Sequence, residues 1–240
     1  MKHPYIYIPL YLLVFSCSLF SAGCGKLGNE EIRDPEMVND TTVTDVEGNV
    51  YKAVKIGTQI WMAENLKVTK YRDGTPLPNV TGKEEWFALT SGAYCNYKND
   101  PAVAAIYGKL YNWYAVTNTH QLTPKGWHIP TDAEWTVLYN YMGGTRYDGG
   151  KIQEKGTTHW SSDTGADNST GFTGIPGQGR LDNIYYPWNG NIGSDGIWWS
   201  ATESSSTNAW YMDLYVKGYF ERHNDSKTNG YSVRCIKDQL

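Results

Sequence analysis

The chain is poor in the residues that nucleic-acid binders and most hydrolases need. Lys and Arg total 21 against 25 Asp and Glu, a net charge of −4 over 240 residues. No basic face able to neutralise a run of phosphates is evident, which argues against nucleic acid as a partner. There are only four cysteines and no Cys-x-x-Cys, and the body's histidines (His120, His128, His159, His223) are scattered, so zinc spacing is missing. Gly193-Ser194-Asp195-Gly196 lacks the spacing of a nucleophile elbow. Gly149-Gly150-Lys151-Ile152 lacks the earlier Gly and the following Ser or Thr of a phosphate loop. The uncharged run at 6–20 is shorter than the roughly 20 residues of a membrane span. What the chain has instead is Trp and Tyr, 10 and 19 of them against 5 Phe. Both join a large apolar surface to one polar atom, which suits wet cores and binding surfaces. With 40% apolar and 19% charged residues the body is globular.

Residues 1–23 read as a secretory signal: Lys2, an uncharged run, then Ser21-Ala22-Gly23. Small residues just before Cys24 resemble the bacterial lipobox, in which the cysteine thiol is diacylated and becomes the mature N-terminus. Cys17 is a poorer candidate, since a shorter apolar core precedes it. An ordinary cleaved signal with incidental cysteines is the alternative. Residues 24–42 lack apolar periodicity and read as a tether from a lipid anchor. The expected location is the bacterial cell envelope, at the outer membrane or cell surface.

Residues 43–240 read as one α+β domain. A hairpin is expected at 43–66, with Val54 and Ile56 alternating around Lys55 and a two-residue turn at Gly57-Thr58. Ile106, Leu110, Trp113 and Tyr114 share a helical face, which predicts a helix over 105–116. Thr131-Asp132-Ala133-Glu134 is a capping box, Trp135, Leu138, Tyr139 and Met142 follow on one face, and Gly143-Gly144 ends a second helix. Residues 144–196 are rich in Gly, Asn, Asp and Ser, as in functional or stapled loops. Strands at 209–215, 219–223 and 231–237 predict a closing antiparallel meander.

Five ordered segments carry a family resemblance. They are Gly92-Ala93-Tyr94-Cys95-Asn96-Tyr97, Tyr107-Gly108-Lys109-Leu110-Tyr111-Asn112-Trp113-Tyr114, the run from Gly126-Trp127-His128 through Glu134-Trp135, Trp198-Trp199-Ser200-Ala201-Thr202-Glu203 and Gly230-Tyr231-Ser232-Val233-Arg234-Cys235. Over 43–238 they resemble the Fibrobacter succinogenes major paralogous domain family of secreted and lipid-anchored bacterial proteins. More remotely, Pro130-Thr131-Asp132-Ala133-Glu134-Trp135 and Arg234-Cys235 are similar to sulfatase-modifying-factor proteins. That resemblance implies a C-type-lectin-like fold, with terminal strands paired around two helices and long loops carrying the ligand site. The fold hosts binders and oxidases alike.

Cys95 and Cys235 remain after the leader and Cys24. In an exported chain they favour a disulfide over two separate buried thiols, and a reactive oxidase pair comes last. His128, Asp132, Glu134 and Arg234 could be read as an acid–base cluster, but the cap accounts for Glu134, and Arg234 suits a buried carboxylate partner. Oxygen-rich loops at 163–168 and 189–195 offer a weak calcium case against solvated turns; no other cofactor is expected. Tyr185, Tyr186 and Trp188, beside Asn189, sit among Gly and Asn, where burial is hard, and are candidates for a stacking platform. The expected function is a non-catalytic, lipid-anchored module binding a polysaccharide or a protein. A sulfatase-modifying-type oxidase and a structural envelope or adhesin component are the alternatives.

Overall fold

The structure, a computed structural model, describes residues 42–181 and 191–239. Strand β1 (Thr42–Thr44) pairs antiparallel with β2 (Val50–Ile56), and β2 turns through Gly57-Thr58 into β3 (Gln59–Met62), with Ile56 opposite Gln59. Gly57 has φ +60, a conformation that L side chains resist, so the glycine belongs at the first turn position.

Helix α1 (Lys83–Phe87) and β4 (Tyr94–Cys95) precede a region where periodicity misleads. The helix expected over 105–116 is three elements: α2 (Pro101–Tyr107), β5 (Leu110–Asn112) and α3 (Trp113–Val116). Asp100 caps α2 by accepting from the Ala102 N–H, and Gly108, at φ +84, stops it. A Cβ at Gly108 would lie 2.8 Å from Asn65 Cβ, so the chain passes there only as glycine. Asn112 then caps α3 through its side chain. Leu110 and Trp113 are buried as expected, but from a strand and a separate turn of helix, and Ile106 is 52% exposed.

After β6 (Trp127–His128) comes α4 (Asp132–Met142), where the local signal is correct. Thr131 Oγ1 accepts from the Glu134 N–H at 3.3 Å, and Glu134 Oε2 accepts from the Thr131 N–H at 2.8 Å. Thr131→Ala is expected to cost about 1 kcal/mol, read as a lower denaturation midpoint. An unchanged midpoint would mean that the cap does not hold the helix.

Residues 144–181 contain one 3-10 turn, Arg146–Lys151, and are stapled by the buried Ile152, Trp160 and Phe172. Trp160 Nε1 donates to Gly174 O at 3.0 Å. Strands β7 (Asp195–Glu203), β8 (Asn208–Tyr215) and β9 (Phe220–Ser226) form an antiparallel meander. Its third strand is thus β7 rather than the C-terminal segment. That segment divides into β10 (Gly230–Tyr231), paired with β5, and β11 (Ile236–Lys237), inserted between β3 and β6. The buried residues 232–235 cross the core between them, tied by Ser232 N–H to Ile197 O at 3.1 Å and Leu66 N–H to Val233 O at 2.9 Å.

The fold is therefore α+β, with small antiparallel sheets predominating. The largest has the order β1-β2-β3-β11-β6, so strands near both ends of the domain share one sheet. One face of the meander (Trp198, Met212, Leu214, Phe220) packs on Trp135, Leu138 and Met142 of α4. The other (Ile197, Trp199, Tyr211) packs around Tyr231 and Tyr111.

Candidate ligand groove

Helix α4 lies across the meander and parts from it where the inward row of β9 changes character. Phe220 ends the apolar row, and two residues on, on the same face, comes Arg222. A guanidinium cannot enter the apolar interior unpaired. Arg222 lies flat on Trp210, its Cζ 3.4 Å from the ring centre, with Nε 2.5 Å from Asp132 Oδ1. The gap is a groove of about 470 Å³. Trp135, Met212, Phe220 and Tyr139 make its apolar floor, and Tyr139 packs on Phe220 at 6.4 Å.

The rim is charged, and its charges are held in place. Arg146 pairs with Glu221 Oε1 at 2.7 Å and lies over Tyr219 at 4.7 Å, while His223 Nε2 is 3.6 Å from Glu221 Oε2. Tyr147 stands against the edge of Tyr219 at 5.4 Å and is 71% exposed. A ligand would therefore meet an apolar bed and planar donors fixed by their own partners. That is the usual composition of a small-ligand site.

The residues singled out from sequence have different fates. Cys24, Tyr185, Tyr186, Trp188 and Asn189 lie outside the described residues. Cys95 and Cys235 are free thiols, not a disulfide. Cys95 packs among Val80, Trp86 and Leu110, and Cys235 among Tyr51, Met62 and Leu66, because Cys235 lies in the crossing from β10 to β11, in a different core cluster from β4. Burial pushes the Cys95 thiol up to about 11, against a weaker opposing pull from Arg180, and raises that of Cys235 further.

The acid–base cluster divides. Asp132 belongs to Arg222 and the groove. Arg234 pairs with no carboxylate among the described residues; it is fully buried against Asn65 and main-chain carbonyls. His128 and Glu134 do meet. His128 Nε2 lies 2.8 Å from Glu134 Oε1 and its Nδ1 lies 2.6 Å from Asp238 Oδ1, so protonated His128 can donate to both carboxylates. The Glu134 hydrogen bond raises the imidazole's pKa against the opposing effect of burial, and Asp238 adds to the rise. Burial pushes Glu134 up, but hydrogen bonds from His128 and Thr131 outweigh it and leave its carboxyl below the usual value.

A histidine raised on folding stabilises fully below its unfolded value and loses that contribution as pH rises through the folded one. A lowered glutamate contributes above its unfolded value and loses that contribution as pH falls through the folded one. The pair is thus strongest between ordinary values of 4.5 and 6.5. Relative to His128→Gln, the wild-type protein should lose stability as pH rises through the raised His128 value; parallel pH profiles for the two would contradict this.

At 163–168 the oxygen-rich loop is closed by its own turns: Asp163 Oδ1 accepts from the Gly165 N–H and Asp167 Oδ1 from the Ser169 N–H. Among the described residues no three or more His, Cys, Asp or Glu side chains come together as a metal centre.

Residues 54–237 match the family model of the Fibrobacter succinogenes major domain. The chain belongs to this family. No curated protein and no solved structure matches it. In this Fibrobacter succinogenes major domain, the segments that carry the resemblance mostly build the interior: Trp127, Trp135, Trp198, Trp199, Tyr231 and Arg234 are all buried. The groove's rim comes from elsewhere, from the 146–151 turn and β9. Sequence reading missed Arg146, Glu221 and Arg222. The available signal was Arg222 itself, a charge on the apolar side of an alternating strand.

Proposed function

We propose that this chain is a lipid-anchored binding module of the bacterial cell envelope, without catalysis, that takes a saccharide in the groove between α4 and the meander. The observation that carries the reading is the groove's make-up: an apolar floor with Tyr139 packed on Phe220, and Arg146, Arg222, Glu221 and His223 fixed at its edge. A pyranose has an apolar C–H face and a hydroxyl edge, and the two parts of the site match them. The frame we propose is C-type-lectin-like, supported by Trp61 of β3 pairing with Ile236 of β11, which brings strands from both ends of the domain together. A cysteine oxidase is the weaker reading, because a reactive thiol needs access and a lowered pKa. Cys95 and Cys235 are 0% exposed, lie in separate clusters and have raised values.

The test is a glycan array probed with the purified protein, beside a panel of host-matrix proteins. Saccharide hits that Arg222→Ala weakens, at unchanged melting temperature, are expected. Binding to matrix proteins alone would replace the saccharide with a protein ligand. For the anchor, Cys24→Ser should release the protein from detergent-phase membrane fractions; retention there would remove the lipidation.

A further inference from the structure

The charged side chains of the groove offer hydrogen-bond donors and almost no free acceptor. Arg222 and Arg146, 43% and 46% exposed, both line it, and His223 lies beside them. Arg222 gives only its Nε to Asp132 Oδ1, and Arg146 only its Nη1 to Glu221 Oε1. Among the described residues nothing else pairs with either guanidinium, so both Nη groups of Arg222 are open. Glu221 is the one carboxylate in the lining, and it is engaged twice: Oε1 faces Arg146, and Oε2 lies 3.6 Å from His223. A sugar hydroxyl brings a proton that needs an acceptor, whereas a carboxylate only accepts.

Arg222 is also fixed in place. Its Cζ lies 3.4 Å from the centre of the Trp210 ring while Asp132 holds Nε. A guanidinium held so presents its two Nη groups as a rigid planar fork, which matches a carboxylate. The main chain beside it is open as well. Tyr215 N–H bonds Tyr219 O, and Lys227 N–H bonds Thr207 O. In that register Arg222 faces Met212 without exchanging hydrogen bonds, so its N–H and C=O point to the free edge of β9. Asp132 and Glu221 already balance the two arginines, so the site suits a single carboxylate rather than a polyanionic group.

We propose, on the footing that the groove takes a saccharide, that it selects an acidic one, a uronate. The sugar's carboxylate takes the Nη fork of Arg222, its hydroxyls take the open main chain of β9, and its C–H face lies on the apolar floor. Arg222 is then the residue that sets specificity.

The test is calorimetric titration of galacturonate, glucuronate and mannuronate oligosaccharides into the full chain. Each is run beside its carboxyl-reduced counterpart, which keeps the ring and loses the charge. At least one uronate should bind about tenfold or more tighter than its reduced form, the worth of a charge-assisted hydrogen bond. Arg222→Gln should abolish that preference while still binding the reduced form, and melting curves should show it folded. Arg222→Lys should lose most of the preference too, because an ammonium keeps the charge without the fork. Equal binding of acid and reduced forms would overturn the acid preference and leave the saccharide reading standing, as would binding confined to neutral sugars. A preference undiminished in Arg222→Gln would put the carboxylate elsewhere and overturn it as well. Binding of no saccharide at all would remove both.

Discussion

Arg234→Leu is expected to lower stability by about 3 kcal/mol or more, the cost of stranding buried acceptors. The side chain is fully buried, and its guanidinium is the hub of the crossing between β10 and β11. Nη1 donates to Phe172 O at 2.5 Å and Met62 O at 3.1 Å, while Nε and Nη2 both donate to Asn65 Oδ1, at 3.1 and 2.8 Å. The plane sits over Phe172 at 4.2 Å. Burial pulls its pKa down to about 9, so keeping the charge inside already costs stability. Leu removes that cost but strands the Phe172 and Met62 carbonyls, and it cannot tie three chain segments together. Lys should fail nearly as badly, because one ammonium cannot reproduce a planar fork. Chemical denaturation measures the effect; a midpoint within error of wild type would show that the network adds nothing.

Trp198→Ala is expected to cost about 3–5 kcal/mol. Trp198 is completely buried, meets Phe172 edge-on at 5.7 Å, lies 6.5 Å from Trp135, and donates from Nε1 to Asn65 Oδ1 at 2.7 Å. Trp198→Phe keeps most of the volume and loses chiefly that hydrogen bond, so about 1 kcal/mol is expected for it. Trp198 and Arg234 share Asn65, so Trp198→Phe combined with Arg234→Leu should depart from the sum of the single effects. Strict additivity would mean that Asn65 does not couple them.

What could be read in the sequence was whatever is local. The Thr131 capping box and the Gly57-Thr58 turn are fixed by neighbours within four residues, and both stand as expected. The 105–116 helix failed because burial periodicity does not distinguish a helix from a strand flanked by short helices. Gly108 and Asn112, a stop and a cap, held the correct boundaries. The C-terminal strand was misplaced for a different reason: pairing with β3 and β6 is a long-range choice that no nearby residue specifies. The groove was illegible on the same ground, since Asp132, Arg146 and Arg222 meet only after α4 docks on the meander. Arg234 was seen, but a carboxylate partner was assumed where Asn65 and three carbonyls serve.

The central claim is that the ligand sits in the groove between α4 and the meander. The direct measurement is a calorimetric titration of the saccharide selected on the array into wild type, Arg222→Ala and Trp188→Ala, with melting curves for each. Arg222 lines the groove and is partly exposed, so its loss should leave melting nearly unchanged while weakening binding by roughly 2 kcal/mol, as for an interface hot spot. Unchanged affinity in Arg222→Ala, with binding lost in a folded Trp188→Ala, would contradict the account and move the ligand to residues 185–189.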